Sequence, residues 1–313
     1  MVPANSTNHT FVPPPVWRYN RTICTGLGDR LGAMMTVATL AYISNVEVEM
    51  EWCGDPSVIY PNLRTYVPDF VGFNYPLDTF LQTFEIPKNI RLVKRYSTDF
   101  LPEVSYIGNE LVAQEARDQV YTLAWRTTRI GHAAEYHDFV RAYHVAGAQF
   151  KSKGHRQLQG SYFVLHMRAW DANTFAYGWD PSLFCTHKVV SSVLKHGFKV
   201  VVISNDLTWA RETLQPLKRI SFFNGTAFED MALLLSADGI IQHAPPGYSS
   251  YSNVPAMAKG IPLISTFKGQ YHRFKLHLES GEIPSEFYTC STRGAFSKRV
   301  VEKLKLKNAS LGN

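Results

Sequence analysis

The sequence is poor in cysteine, with four in 313 residues, and none stands in a CxxC or at a metal-ligating spacing from a histidine. That excludes a cysteine-built zinc site and a thioredoxin-like dithiol. The default for Cys24, Cys53, Cys185 and Cys290 is a buried free thiol, with one or two disulfides only in a secretory setting. No DxD, HxxxH or HExxH occurs, so the usual carriers of a nucleotide-bound Mg²⁺ or a catalytic zinc are missing, and no metal is expected. No apolar run approaches the roughly eighteen residues needed to cross a bilayer, and no signal peptide is present. The expected compartment is the cytoplasm if the chain is complete, or the Golgi or ER lumen if an N-terminal anchor has been removed. Five N-x-[ST] sequons, at Asn5, Asn8, Asn20, Asn224 and Asn308, matter only in the second case. Repeats and low-complexity tracts are absent. A net charge of +6 is scattered, without an aromatic-interleaved basic stripe, so no nucleic-acid partner is expected. The basic runs KSKGHR (Lys151 to Arg156) and KRVVEKLKLK read as solvated surface.

Apolar residues make up 45% of the chain, enough for a substantial core, and the length suggests two domains or one large one. From Ser161 to Thr266, short apolar runs (SYFVLHM, KVVVIS, RISFF, GIIQHA, IPLIST) alternate with segments of helical period. The runs are too short for helices and too uniformly apolar for a one-faced sheet. They predict buried parallel strands with helical crossovers. Nearer the N-terminus, RTICTGLGDRLGAMMTVATLAYISNVEVEMEW reads as a βαβ unit with a Gly-rich turn, and its second strand looks half exposed because acid and apolar residues alternate. PLDTFLQTFEIPK reads as a short helix and IRLVKR as a strand. NLRTYVPDFVGFNYPL reads as loop-rich with a strand over 70–74, and helical period returns from about Asn109 in two segments, ELVAQEARDQVYTLAWRTT and HAAEYHDFVRAYHVAGAQFKSK. Residues 151–160 are the linker candidate. The expected fold class is α/β, with two Rossmann-type doubly wound domains facing a cleft. The expected divisions are a flexible arm over 1–17, an acceptor-side domain over 18–155, a nucleotide-sugar-binding domain over 156–290, and a terminal helix and tail over 291–313.

In such folds ligands sit beyond the carboxyl ends of the strands, and four clusters lie there. Gly26 and Gly28, with Asp29 beside them, form a GxGxxxG turn, which keeps an NAD(P)-dependent oxidoreductase in consideration. Against that, Asp29 sets a negative charge where a pyrophosphate would lie. His166, Arg168 and Asp171 close the next cluster. Arg168 offers a planar fork for diphosphate oxygens, and Asp171 can accept a proton from a sugar hydroxyl, or the two can form a surface ion pair. Ser204, Asn205 and Asp206 can read a ribose diol or a base edge, although Asp206 is equally a helix N-cap. Last come His243, Ser249 and Ser250, with hydroxyls and free backbone N–H groups at a helix start, an anion site or an ordinary cap. Trp52, Tyr60 and Tyr66 are of the type that stacks on sugars, with core packing the plainer use.

Taken in order, GLGDRLGA, HMRAWD, VVISND and DMALLLSADGIIQHAPPGYSSYSNVPAMAKG resemble the fucosyltransferase-like glycosyltransferases, which include the α1,2-, α1,6- and protein O-fucosyltransferases. The resemblance covers residues 20–45 and 160–268. It implies a GT-B fold, an inverting mechanism, no metal, a nucleotide-sugar donor held by the second domain and a glycan or glycoprotein acceptor. By motif position Arg168 would bind the diphosphate, His166 and Asp206 the nucleoside, and Ser249 and Ser250 phosphate oxygens, while Asp29 or Asp171 would act as base. Ala169 replaces a second Arg of the family's HxRR, and Asp29-Arg30 replaces Asn-Gln or Asn-Arg. GDP-fucose is therefore the leading donor, with UDP-xylose or another nucleotide sugar open, and a non-catalytic glycan-binding protein is the remaining alternative.

Overall fold

The structure, a computed structural model, describes residues 16–23, 26–45, 47–52, 75–94, 133–154, 158, 160–169, 182–243, 249–266 and 287–289. The chain opens with β1 (Val16–Ile23), α1 (Leu27–Ser44) and β2 (Glu47–Trp52), a parallel βαβ unit. β1 starts two residues inside the stretch read as an arm. Then come α2 (Leu77–Thr83), β3 (Phe84–Glu85), β4 (Ile90–Val93), α3 (Ala133–Gln149) and β5 (Lys151–Ser152). The remainder runs β6 (Tyr162–Met167), α4 (Ser182–Lys195), β7 (Lys199–Ser204), α5 (Leu207–Leu214), β8 (Ile220–Phe222) and α6 (Ala227–Leu235). It ends with β9 (Gly239–His243), α7 (Ser250–Lys259), β10 (Leu263–Ser265) and β11 (Phe287–Thr289).

Two parallel sheets result, one in the order β1-β2-β4 and one in the order β11-β10-β9-β6-β7-β8. This is the α/β class expected. In the larger sheet β6 lies between β9 and β7, so successive strands run outward one way from β6 through β8 and the other way from β9 through β11. The reversal of order between β6 and β9 is a topological switch point, where a crevice opens beyond the strand ends. The uniformly apolar runs behave as read: every residue of β6 and of β9 is buried. Tyr162, Val164, Val201, Ile203 and Ile240 face a cluster with α6, α7 and α1. Phe163, Leu165, Met167, Val200, Val202 and Ile241 face the opposite cluster with α4 and α5. The first cluster continues through α2, α3, β2 and β4.

Three expectations change. β2 is not half exposed: it is the middle strand of its sheet, and Val48, Glu49, Met50 and Trp52 are all buried. Glu49 is tolerated there because Arg91 Nη2 on β4 donates to its carboxylate at 2.6 Å. The start of the linker candidate is tied down, since β5 pairs antiparallel with β3 and Lys153 N–H donates to Thr83 O at 2.7 Å. The free-thiol default also fails: Cys185 on α4 is disulfide-bonded, and among the described residues no cysteine is free. Pairing depends on which segments the fold brings together, which sequence spacing does not reveal. Trp52 takes the plainer of its two uses, stacking on Phe80 at 4.3 Å in the core and donating from Nε1 to Tyr75 O. The strand expected at 70–74, the helix at about 109–128, Tyr60, Tyr66 and the terminal helix lie outside the described residues.

Helix α7 is held on two sides by bare backbone. A Cβ on Gly28 of α1 would lie 2.2 Å from Tyr251 N, and one on Gly147 of α3 would lie 2.1 Å from Ala258 O. Lys259, at the end of α7, donates from Nζ to Gly147 O at 3.0 Å and also to Phe150 O, placing a cation on the carbonyl end of α3. α7 ends at Gly260 in the left-handed region, φ 60°. In an open helix interior, Gly→Ala stabilises by about 0.5–1 kcal/mol. Here backbone would have to move to admit a methyl, and overpacking costs about 1–3 kcal/mol. Gly28→Ala and Gly147→Ala are each expected to lower stability in spite of the helix-propensity gain. Urea unfolding of each variant checks the sign.

Candidate active site

The expected site residues are best placed by the strands that carry them. β6 delivers His166 and, one residue past its end, Arg168. His166 is buried, its Nδ1 lies 3.1 Å from Ser252 Oγ on α7, and its ring centroid is 5.4 Å from that of Tyr251. Burial first, then the nearby charges of Arg168 and His243, push its pKa down to about 3. The imidazole is therefore neutral at physiological pH and serves as a hydrogen-bonding wedge, not as a cation. Arg168 is half buried, and its N–H donates to His243 O at 2.9 Å, adding a rung between β6 and β9 at the switch point.

At the end of β7 three side chains turn onto the protein itself. Ser204 Oγ donates to Asp206 O and accepts from Asp206 N, both at 3.0 Å. Asp206 Oδ1 accepts from Trp209 N at 2.9 Å, which makes it the N-cap of α5, the plainer of its two expected uses. Asn205 pairs with the backbone of Ala169. At the end of β9, His243 Nδ1 lies 3.1 Å from both Thr186 Oγ1 and Thr266 Oγ1, and Trp209 stacks near its ring at 6.1 Å.

The start of α7 completes the site. Ser249 is at the N-cap position but makes no side-chain cap, and Ser250 opens the helix half buried. Sequence reasoning missed Gln242, a buried amide on β9 whose Nε2 lies within hydrogen-bond distance of Ser249 O, Ser252 Oγ and Asn253 Oδ1. Its only signal was an amide inside an otherwise apolar strand, GIIQH. Together His166 and Gln242 hold the first turn of α7 onto the sheet.

The Gly-rich turn meets the same place. Gly26 is the N-cap of α1, accepting from Arg30 N at 3.2 Å, and Asp29 stands in the first turn. Gly28 touches the Ser250–Tyr251 peptide. The N-terminal turns of α1 and α7 are thus in contact, and both present the positive ends of their peptide dipoles. Such a junction favours an anion and disfavours a cation. Asp171 lies outside the described residues. Among the described residues no group of three His, Cys, Asp or Glu side chains is placed to hold a metal ion, and no helix is long and apolar enough to cross a membrane.

No family model matches the chain, and no curated protein matches it. Solved structures do. The fold is similar to that of solved fucosyltransferases. The fucosyltransferase NodZ from Bradyrhizobium aligns at a TM-score of 0.43 and 13% identity, over 78% of this chain and 92% of its own. POFUT1 in complex with GDP-fucose aligns at 0.41 and 12%, over 89% and 99%. The iron-containing dodecameric glycosyltransferase TibC from enterotoxigenic E. coli aligns at 0.39 and 14%, over 81% of this chain and 58% of its own. At these scores the likeness carries no argument about chemistry, which has to come from the site.

Behind α7 lies one group that none of the expected roles uses. Burial first, then Glu229, raises the Asp230 carboxyl on α6 to about 7, against 3.8 for an unperturbed Asp, and its Oδ1 is buried with no hydrogen-bond partner among the described residues. Asp230 in turn contributes to raising the phenol of Tyr251 on α7. A folded-state pKa above the unfolded value means that the folded chain holds the proton longer. The stability tied to the protonated acid is fully present below pH 3.8 and is lost as pH rises through about 7. Asp230→Asn is therefore expected to gain in melting temperature over the parent as pH rises from 4 to 7, with the difference level above that. Thermal unfolding at a series of pH values reads this directly.

Proposed function

We propose that this chain is a metal-independent, inverting glycosyltransferase that moves a sugar from a nucleotide-sugar donor, with GDP-fucose the leading candidate, onto a hydroxyl of a glycan or glycoprotein acceptor. The observation that carries the reading is the contact between the N-terminal turns of α1 and α7 beside the Arg168-bearing strand end. Two helix starts and a guanidinium at a switch point suit a diphosphate leaving group. The order of motifs in the sequence, which resembles the fucosyltransferase-like enzymes, supports the same choice. Residues 156–290 would hold the donor and residues 18–155 the acceptor side.

In the reaction the acceptor oxygen attacks the donor C1 from the face opposite the diphosphate. The new C1–O bond forms, the bond from C1 to the diphosphate oxygen breaks, and the leaving group takes the electron pair. The acceptor proton passes to the carboxylate of Asp171 or Asp29. Negative charge grows on the diphosphate, and Arg168 with the helix N–H groups of α7 stabilises it, the contribution that usually dominates. The neutral His166 adds no positive charge and orients Ser252. The disulfide at Cys185 supports an oxidising compartment, in keeping with the lumenal alternative.

The test is a thermal-unfolding panel of nucleotides and nucleotide sugars, with and without EDTA, followed by a transfer assay on the ligands that bind. A stabilising shift with GDP and GDP-fucose that survives EDTA is the expected result, since a ligand of the folded state raises the midpoint by mass action. A shift with UDP-sugars alone changes the donor, and a shift with NADPH alone sinks the reading. Arg168→Ala is expected to stay folded and to lose about a hundredfold or more in turnover. Of Asp171→Asn and Asp29→Asn, the one that abolishes transfer identifies the base, and wild-type turnover in both removes each from that role.

A further inference from the structure

Asn205 follows the last residue of β7, where the backbone leaves the sheet to enter α5. Its side chain carries the sheet one step further. Ala169 N–H donates to Asn205 Oδ1 at 2.8 Å, and Asn205 Nδ2 donates to Ala169 O at 2.8 Å. One primary amide thus satisfies both backbone groups of a single residue, as a neighbouring strand would. On the other side of β6, Arg168 N–H donates to His243 O at 2.9 Å. The segment leaving β6 is therefore held by β9 at Arg168 and by one side chain at Ala169. The flanking side chains are occupied elsewhere: Ser204 closes a turn on Asp206, and Asp206 caps α5.

We propose that Asn205 is a positioning residue for the donor site, whose amide stands in for a strand rung and fixes the backbone that carries Arg168. The proposal rests on the reading of Arg168 as the diphosphate ligand. The residue type is constrained by the bonding. An amide offers one acceptor and one donor side by side, matching a peptide N–H and C=O. An ionised Asp keeps the bond from Ala169 N–H but turns a lone pair on Ala169 O, and Ala offers neither bond. Because the Asn205 side chain is exposed and its partner lies at a strand end, removing it costs local order and little global stability.

Two readouts on the full chain test this. One is hydrogen exchange at the Ala169 amide in the parent, Asn205→Ala and Asn205→Asp. The other is the binding of GDP and of guanosine to the same three proteins. Asn205→Ala is expected to lose protection at Ala169, to keep its melting temperature within a few degrees, and to bind GDP roughly tenfold more weakly with guanosine binding unchanged. Asn205→Asp should show a smaller loss at neutral pH, because its carboxylate still accepts from Ala169 N–H while it repels Ala169 O. It should regain protection relative to the parent as pH falls through the ordinary carboxylate range, about 4, where the acid can donate to Ala169 O. Parent-like protection at Ala169 in Asn205→Ala overturns the proposal. So does an equal loss for GDP and guanosine, which would mean that Asn205 reads the nucleoside itself. A parent chain that binds no nucleoside diphosphate removes the proposed function, and the exchange measurement still judges the clamp.

Discussion

Helix α7 lies between the six-stranded sheet and the helices α1 and α3, and at Gly28 and Gly147 its backbone meets theirs with no side chain between. Gly28 lies in the first turn of α1 and Gly147 in the last turn of α3, where glycine costs less than the about 0.5–1 kcal/mol of a helix interior. What they secure is distance. With Cβ atoms at those positions the helices would have to separate, since interiors are close-packed and the atoms in the way belong to backbone. Separation would draw the first turn of α1 away from the first turn of α7. The anion-favouring junction exists because the helices are this close, so the chemistry of the site depends on packing well behind it.

The second dependence is polar. The first turn of α7 is anchored to the sheet by His166 Nδ1 against Ser252 Oγ and by the Gln242 amide against Ser249 O and Asn253 Oδ1. These groups are buried, so their bonds are worth more than surface ones and leaving them unmade is expensive. The same burial keeps His166 neutral. A charged imidazole there would face Arg168 and two helix N-termini, all positive. Desolvation thus removes a charge that would repel its neighbours, and leaves Arg168 as the cation at the β6 exit.

Much of the scaffold was legible in the sequence, because it rests on local rules. The runs YFVLHM, KVVVIS and GIIQH are mostly apolar since β6, β7 and β9 are covered on both faces along most of their length, and length alone separates them from helices. The turn GLGDRLG announced a helix start, and SND announced a cap at Asp206. What was not legible depends on partners distant in the chain. Glu49 looked solvent-facing because its own strand alternates, and Arg91 on the next strand helps to make its burial tolerable. Cys185 carries no local mark of its disulfide. Gly28 looked like a residue that admits a ligand, and its bare face instead admits α7. Gln242 lay within the motif DMALLLSADGIIQHAPPGYSSYSNVPAMAKG without drawing a role from it, yet it bonds the first turn of α7.

The division of labour at the strand ends follows from the same distinction. A sequence motif marks where polar side chains collect, but a polar side chain near a ligand has two competing uses: to touch the ligand or to hold the loop that does. Hydrogen-bond accounting decides between them. Asp206 has its carboxylate on Trp209 N, Asn205 has both amide atoms on Ala169, and His166 has its Nδ1 on Ser252. Asn205 has committed both of its polar atoms, and Asp206 and His166 one each. In the proposed function the phosphate oxygens go to the guanidinium of Arg168 and to the N–H groups at the helix starts, which are indifferent to the base. On this account the diphosphate is recognised by the switch point itself.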